Sequence, residues 1–172
     1  MADAAAPNAL TEAAVTAAVS QLGVHEQGGN NTGPEVDLYL ASVGLEPGAS
    51  WCAAFVYYCF RKASQQLGVP NPCPRTAGAL KLWKLADAHF HAVAPARGRV
   101  FVMDHGQGLG HVGFVEAVRE DGSIDSIEGN TNAAGSRNGD RVARHTWDPR
   151  AGARGALVGY LDMGAALPPL VA

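Results

Sequence analysis

Ser50-Trp51-Cys52-Ala53-Ala54-Phe55-Val56-Tyr57-Tyr58-Cys59-Phe60, running on to Leu67 and Gly68, is the stretch from which the fold can be read. Its first half is apolar nearly all round, which is the pattern of a helix buried on every side. Ser50 is expected to cap this helix and Gly68 to end it, so a helix is predicted from Trp51 to about Leu67. Upstream, Leu10, Ala14, Val15, Ala18, Val19 and Leu22 form a helical stripe between the cap residue Asn8 and the stop Gly23. A loop, Glu26 to Gly33, leads to Pro34, a residue suited to a first helical position. Val36, Leu38, Tyr39, Leu40 and Val43 then run to Gly44. Downstream, Pro70-Asn71-Pro72-Cys73-Pro74 breaks the chain, and Thr76 to about Ala88 is predicted as a further helix. After Pro95 the apolar period changes to two. Strands are predicted at Arg99–Met103, His111–Val118, Ser123–Glu128, Arg141–Trp147 and Ala156–Met163, with a hairpin turn at Asp121-Gly122. Helices followed by an antiparallel set of strands imply an α+β fold. One domain is expected over residues 10–163, between a flexible N-terminus (1–9) and a loosely held tail (164–172) containing Pro168-Pro169.

Composition narrows the function classes. The 172 residues suit a single domain large enough for its own core. Apolar residues make up 47%, which excludes a wholly disordered chain. The 21 glycines and 10 prolines follow no repeat period, so they mark loops rather than a fibrous structure. With 13 basic against 16 acidic side chains there is no basic field to neutralise phosphates, and no nucleic-acid partner is expected. The start of the chain has neither a basic segment nor a long apolar one, so it does not read as a signal peptide. No run of about 18 apolar residues predicts a membrane-spanning helix. The three cysteines cannot form a closed disulfide framework and leave at least one thiol to explain.

Cys52 stands at the head of the predicted buried helix. Free N–H groups and the helix dipole favour an anion there, so a thiolate is stabilised. The same N–H groups can hold the oxyanion formed when a thiolate attacks a carbonyl. The plainer reading of such a cysteine is core packing. A nucleophile also needs a base, and the base needs orienting. His111 opens an apolar strand, and Gly113 shares its face, where a bare surface would let the nucleophile helix approach. Glu128 and Asn130 follow on the next strand. Two residues apart in extended chain, both point to one side, where a carboxylate and an amide would fix the tautomer of His111 and stabilise its imidazolium. Each alone has an ordinary structural reading. The order Cys, His, Glu/Asn on helix, strand and next strand is what favours catalysis.

Trp51-Cys52-Ala53-Ala54-Phe55-Val56, Gly110-His111-Val112-Gly113-Phe114-Val115 and Glu128-Gly129-Asn130-Thr131 resemble the three motif blocks of CHAP domains. These are cysteine- and histidine-dependent amidohydrolases and peptidases of the papain-like, NlpC-type superfamily. The lead-in Gly23-Val24-His25-Glu26 with Asn30-Asn31 is similar to that of phage-type members, and the resemblance runs from about residue 10 to 163. It implies a papain-like fold, with Cys52 as nucleophile, His111 as general base, Glu128 as the orienting third member and Asn130 in support. Trp51, Asn31 and Gly110 become candidate substrate-binding residues. It also implies peptidoglycan as the substrate, cut at the muramoyl–L-alanine amide or within the stem and cross-bridge peptides. Some members bind calcium through an Asp-rich loop ahead of the cysteine. Here the loop carries Asn30 and Asn31 without Asp, so no metal and no cofactor are expected.

The remaining features weigh less. Cys59 lies about 10 Å along the helix from Cys52, too far for a disulfide, and is expected in the core. Cys73 is read as an exposed bystander, with pairing to Cys59 as the alternative. Trp51 is a core anchor or a wall of the substrate cleft. His105 is a rival base in a loop tip, and His25 and His145 are surface or groove residues. Specificity is expected in the loops Gly28–Gly33, Pro70–Arg75 and Ala133–Asp140. The chain is expected to act as a monomeric phage lysis enzyme or antibacterial effector. It would leave the cytoplasm through a holin or a secretion system, without membrane insertion, and an immunity protein or a secretion carrier would join an effector. The alternatives are a non-catalytic wall-binding module on the same fold and a cysteine deamidase acting on proteins.

Overall fold

The computed structural model describes residues 8–132 and 139–165. Residues 1–7 of the expected flexible start, most of the tail and most of the loop 133–140, where specificity is expected, lie outside the described residues, whereas Asn8 and Ala9 are described as the cap and first residue of a helix. Four helices precede a six-stranded antiparallel sheet. The helices are α1 (Ala9–Ser20), α2 (Pro34–Ser42), α3 (Cys52–Leu67) and α4 (Ala79–Leu85), followed by one turn of 3-10 helix at Ala88–Phe90. The strands are β1 (His91–Ala92), β2 (Val100–Gly106), β3 (Leu109–Val118), β4 (Ile124–Thr131), β5 (Arg141–Trp147) and β6 (Ala156–Leu161), in the spatial order β1-β6-β2-β3-β4-β5. The α+β reading therefore holds.

Local chemistry explains most boundaries. Asn8 caps α1 by accepting the Thr11 N–H at 3.0 Å. Pro34 takes the first position of α2, and Gly68 closes α3 in the left-handed conformation at φ 67°. Two expectations need correction. Ser50 does not cap α3: the N-cap is Trp51, and no side chain of its own caps the end. The helix predicted over Thr76–Ala88 is shorter, because Gly78 is extended at its start and Ala86 is extended at its end.

The core lies between helices and sheet. Helix α3 is the central piece, with α1 and α2 packed on one side and β3 and β4 on the other. Phe55 and Phe60 meet Phe114 of β3 at ring-centre distances of 6.3 and 5.5 Å. Tyr39 of α2 joins Trp51 and Phe55 at 5.6 and 5.4 Å. Each such aromatic contributes about 1.5–3 kcal/mol by burial, which fixes the helix head against β3 and β4. A second, smaller cluster on the sheet's other face is built from Phe101, Met103, Val115, Ile124 and Tyr160. Among the described residues no helix is long and apolar enough to cross a membrane.

Candidate active site

Strand register places Glu128 and His111. Phe114 pairs with Ile127 in the antiparallel β3–β4 ladder, so Gly113 faces Glu128 across it. His111 lies two residues back on the same face as Gly113. The Glu128 side chain crosses over Gly113 to reach His111. A Cβ at position 113 would sit 2.7 Å from Glu128 Cγ and 2.8 Å from the Phe101 ring. The bare surface of Gly113 thus admits Glu128 and not α3. The close approach of that helix occurs at Gly129, where a Cβ would meet Phe55 at 2.7 Å.

His111 and Glu128 are both essentially removed from solvent, at 2% and 0% exposure. His111 Nε2 donates to Glu128 Oε2 at 2.8 Å, which assigns the tautomer and leaves Nδ1 for the thiol. The carboxylate is saturated. Its Oε1 accepts from Ser126 Oγ at 2.6 Å and Arg154 Nη1 at 2.7 Å, and its Oε2 also accepts from Arg154 Nη2 at 2.7 Å. Burial works against charge on Glu128, but the bonds from Arg154 and His111 outweigh it and hold its pKa well below the usual carboxylate range. Burial likewise works against an imidazolium at His111. Interaction with Cys52 and with Glu128 overcomes this and pushes the pKa up to about 9. His111 Nδ1 is nevertheless without a hydrogen bond of good geometry. The Cys52 contact is therefore electrostatic proximity short of a formed bond, as is common before substrate aligns a site.

Asn130 does a different job from the one its spacing suggests. The β4–β5 register shifts between Glu128 and Thr131, and Asn130 takes a left-handed backbone at φ 54°, a conformation Asn tolerates better than most residues. The alternation is broken there. In the amide orientation that satisfies both neighbours, Asn130 accepts the Trp51 N–H at 3.0 Å and donates to the Gly139 carbonyl at 2.6 Å. Asn130 thus supplies, from β4, the anchor for the head of α3 that Ser50 was expected to provide. It positions Cys52 rather than His111.

The other predicted residues separate. Trp51 is fully buried, with Nε1 donating to Glu26 Oε1 at 2.9 Å. It is the core anchor and not a cleft wall, because no face of its ring meets solvent. Asn31, also buried, donates its backbone N–H to Glu26 Oε2 at 2.8 Å and its side-chain amide to the Gly48 carbonyl at 3.2 Å. It thereby shapes the loop ahead of Cys52. Gly110 abuts Leu80 of α4: a Cβ there would meet Leu80 Cγ at 2.9 Å and the Met103 carbonyl at 2.8 Å. His105 is exposed at the end of β2, with its ring against Gly155. His145 is half-buried beside it, bonded to Thr131 Oγ1 at 3.1 Å, and burial holds its pKa down.

Cys59 and Cys73 are buried free thiols. The exposed-bystander reading of Cys73 fails, because the Pro-rich segment packs it into the main core. Burial raises both thiols well above the ordinary range, Cys59 with a further contribution from Cys73. The donor set near Asn31 does not suit a calcium ion. Both oxygens of Glu26 are occupied by N–H donors, and among the described residues no group of three or more His, Cys, Asp or Glu side chains could hold a metal ion.

Sequence reading missed Arg154. It sits in a turn before β6 and reaches Glu128 from 26 residues away in the chain. No periodicity marks it, and only its charge, opposite to that of the acidic member, offered a signal.

The family model of the CHAP domain matches residues 44–130, a little over half the chain and the span from the loop before α3 through Asn130. No curated protein and no solved structure matches. Cys52, His111, Glu128 and Asn130 all fall inside the matched span, on the helix head and the two strands described above. The chain belongs to the CHAP domain family, whose members are cysteine- and histidine-dependent amidohydrolases and peptidases.

Proposed function

We propose that this chain is a peptidoglycan hydrolase that cuts an amide bond of the bacterial wall through Cys52. The observation that carries the reading is the buried His111–Glu128 pair, which commits His111 Nε2 and turns Nδ1 to the thiol at the head of α3. A structural histidine would need neither a saturated carboxylate nor a favoured imidazolium.

The steps follow from the geometry. The Cys52 Sγ–H proton passes to His111 Nδ1, and the thiolate attacks the substrate carbonyl carbon. Backbone N–H groups at the head of α3 stabilise the oxyanion. The C–N bond breaks as His111 returns its proton to the leaving amine, and a thioester remains on Cys52. Water, deprotonated by His111, hydrolyses the thioester to a carboxylate and restores the thiol. Glu128 stays ionised throughout and steadies the imidazolium. It does not take the proton, since its own pKa lies far below that of His111.

The bond is either muramoyl–L-alanine or one within the stem or cross-bridge peptides. The setting is phage lysis or an antibacterial effector, with the chain delivered to the wall by a holin or a secretion machine and peptidoglycan as its partner. Mass spectrometry of muropeptides from digested sacculi tests the reading. New N-termini on L-alanine identify an amidase, and cleaved stems or cross-links an endopeptidase. Sacculi left intact by the folded chain would overturn the proposal.

A further inference from the structure

Arg154 lies beyond the segment that carries the family motifs, yet it makes the most intimate contact with the orienting carboxylate. Its guanidinium is bidentate to Glu128 at 2.7 and 2.7 Å, with the side chain 16% exposed. Its Cζ lies 4.9 Å from the centre of the Trp147 ring. Trp147 Nε1 in turn donates to Ser126 Oγ at 3.1 Å, and Ser126 donates to Glu128. The guanidinium is therefore held from one side by the ring and from the other by the carboxylate, in a closed circuit of Arg154, Glu128, Ser126 and Trp147. A fork of this kind fixes the plane of a carboxylate, which a point cation does not.

Charge explains why a cation is needed. The groups that face Glu128 are His111 from β3, Arg154 from the turn before β6 and His145 from β5, with Cys52 of α3 across His111. His145 is held toward its neutral form by burial. With Arg154 present, the buried set carries no net charge both as thiol and imidazole and as thiolate and imidazolium. Proton transfer between Cys52 and His111 then changes no net charge inside the protein. Without Arg154 the same set carries an uncompensated negative charge in both forms, which raises the proton affinity of the site.

We infer that Arg154 is a positioning residue of the Cys52–His111–Glu128 site: it locks the Glu128 carboxylate in the plane of His111 and supplies the balancing charge that sets the pH range in which the site works. The inference rests on the hydrolase reading for its kinetic part alone.

The test uses the full chain and two readouts, an NMR titration of the His111 ring, which needs no substrate, and the pH profile of dye release from labelled sacculi. In Arg154→Met the His111 titration moves up by about one pH unit or more, the scale of removing one nearby positive charge from beside an imidazolium. Both limbs of the activity profile move to higher pH, and kcat falls on the order of 100-fold, as for a misplaced catalytic group. Arg154→Lys keeps the charge, so the limbs stay in place while kcat still falls for want of the fork. In a Glu128→Gln background, adding Arg154→Met brings no further loss, because Arg154 acts through Glu128. This double variant buries no unpaired charge, and it decides the matter if Arg154→Met alone does not fold. An unmoved His111 titration with unmoved limbs, or full additivity of the two substitutions, would overturn the inference. A His111 titration that shifts in a chain that never acts on sacculi would leave the inference standing and remove the hydrolase reading.

Discussion

Cys52 and Cys59 occupy one helix, seven residues apart, and both are buried, at 4% and 0% exposure. Burial therefore does not distinguish them. Cys59 is enclosed among apolar groups, with Cys73 as its ionisable neighbour, and its thiol is pushed up and silenced. Cys52 sits in the first turn, its helix head tied to β4 by Asn130 and its side chain beside an imidazole whose charge is favoured. A buried thiol becomes usable when a chain of compensated charges, His111 to Glu128 to Arg154, reaches it from the sheet. Where no such chain of charges reaches it, it is packing.

This contrast can be broken at several points. Glu128→Gln cuts the chain of charges in the middle and takes the carboxylate away from the half-buried Arg154. A loss of about 3–5 kcal/mol is expected for such a break, measured by chemical denaturation, together with a fall in wall lysis to a low but measurable rate. Gly129→Ala attacks the contact between β4 and α3, since the new Cβ would fall 2.7 Å from Phe55 Cγ. The expected cost is about 1–3 kcal/mol of overpacking, seen as a lower denaturation midpoint, with activity falling as the head of α3 shifts. pH sharpens the contrast without mutation. The folded pKa of His111, about 9, lies above its ordinary 6.5. Its contribution to stability is accordingly complete below pH 6.5 and lost as pH rises through about 9. Wall lysis should decline over the same upper range, about tenfold per pH unit above 9, and a profile still rising at pH 10 would contradict the assignment. Cys59→Ala touches only the silent end. It should cost on the order of 1 kcal/mol, the centre of the range for single substitutions, and leave the activity of folded molecules unchanged.

The two ends also differ in how much of them was legible in the residues. The apolar run around Cys59 announces a buried helix, and the period-two pattern announces β3 and β4, because burial on a helix or a strand is periodic. Cys52, His111 and Glu128 could be picked out because their order along the chain matches their order in space. What could not be read was geometry created by a break in the pattern. The register shift after Glu128, with Asn130 left-handed, turned a presumed partner of His111 into the anchor of α3. Gly113 was correctly expected to be bare, but which neighbour would use the space depends on the β3–β4 register. Trp51 pairs with Glu26 and Arg154 with Glu128 across long stretches of chain, and such pairs leave no local trace.

The most direct measurement is dye release from labelled sacculi by the intact chain, Cys52→Ala, His111→Ala and Cys59→Ala, each first shown to be folded. The account predicts that the intact chain and Cys59→Ala release dye at the same rate per folded molecule, and that Cys52→Ala and His111→Ala fall to the level of buffer. Release by Cys52→Ala at the rate of the intact chain would contradict it.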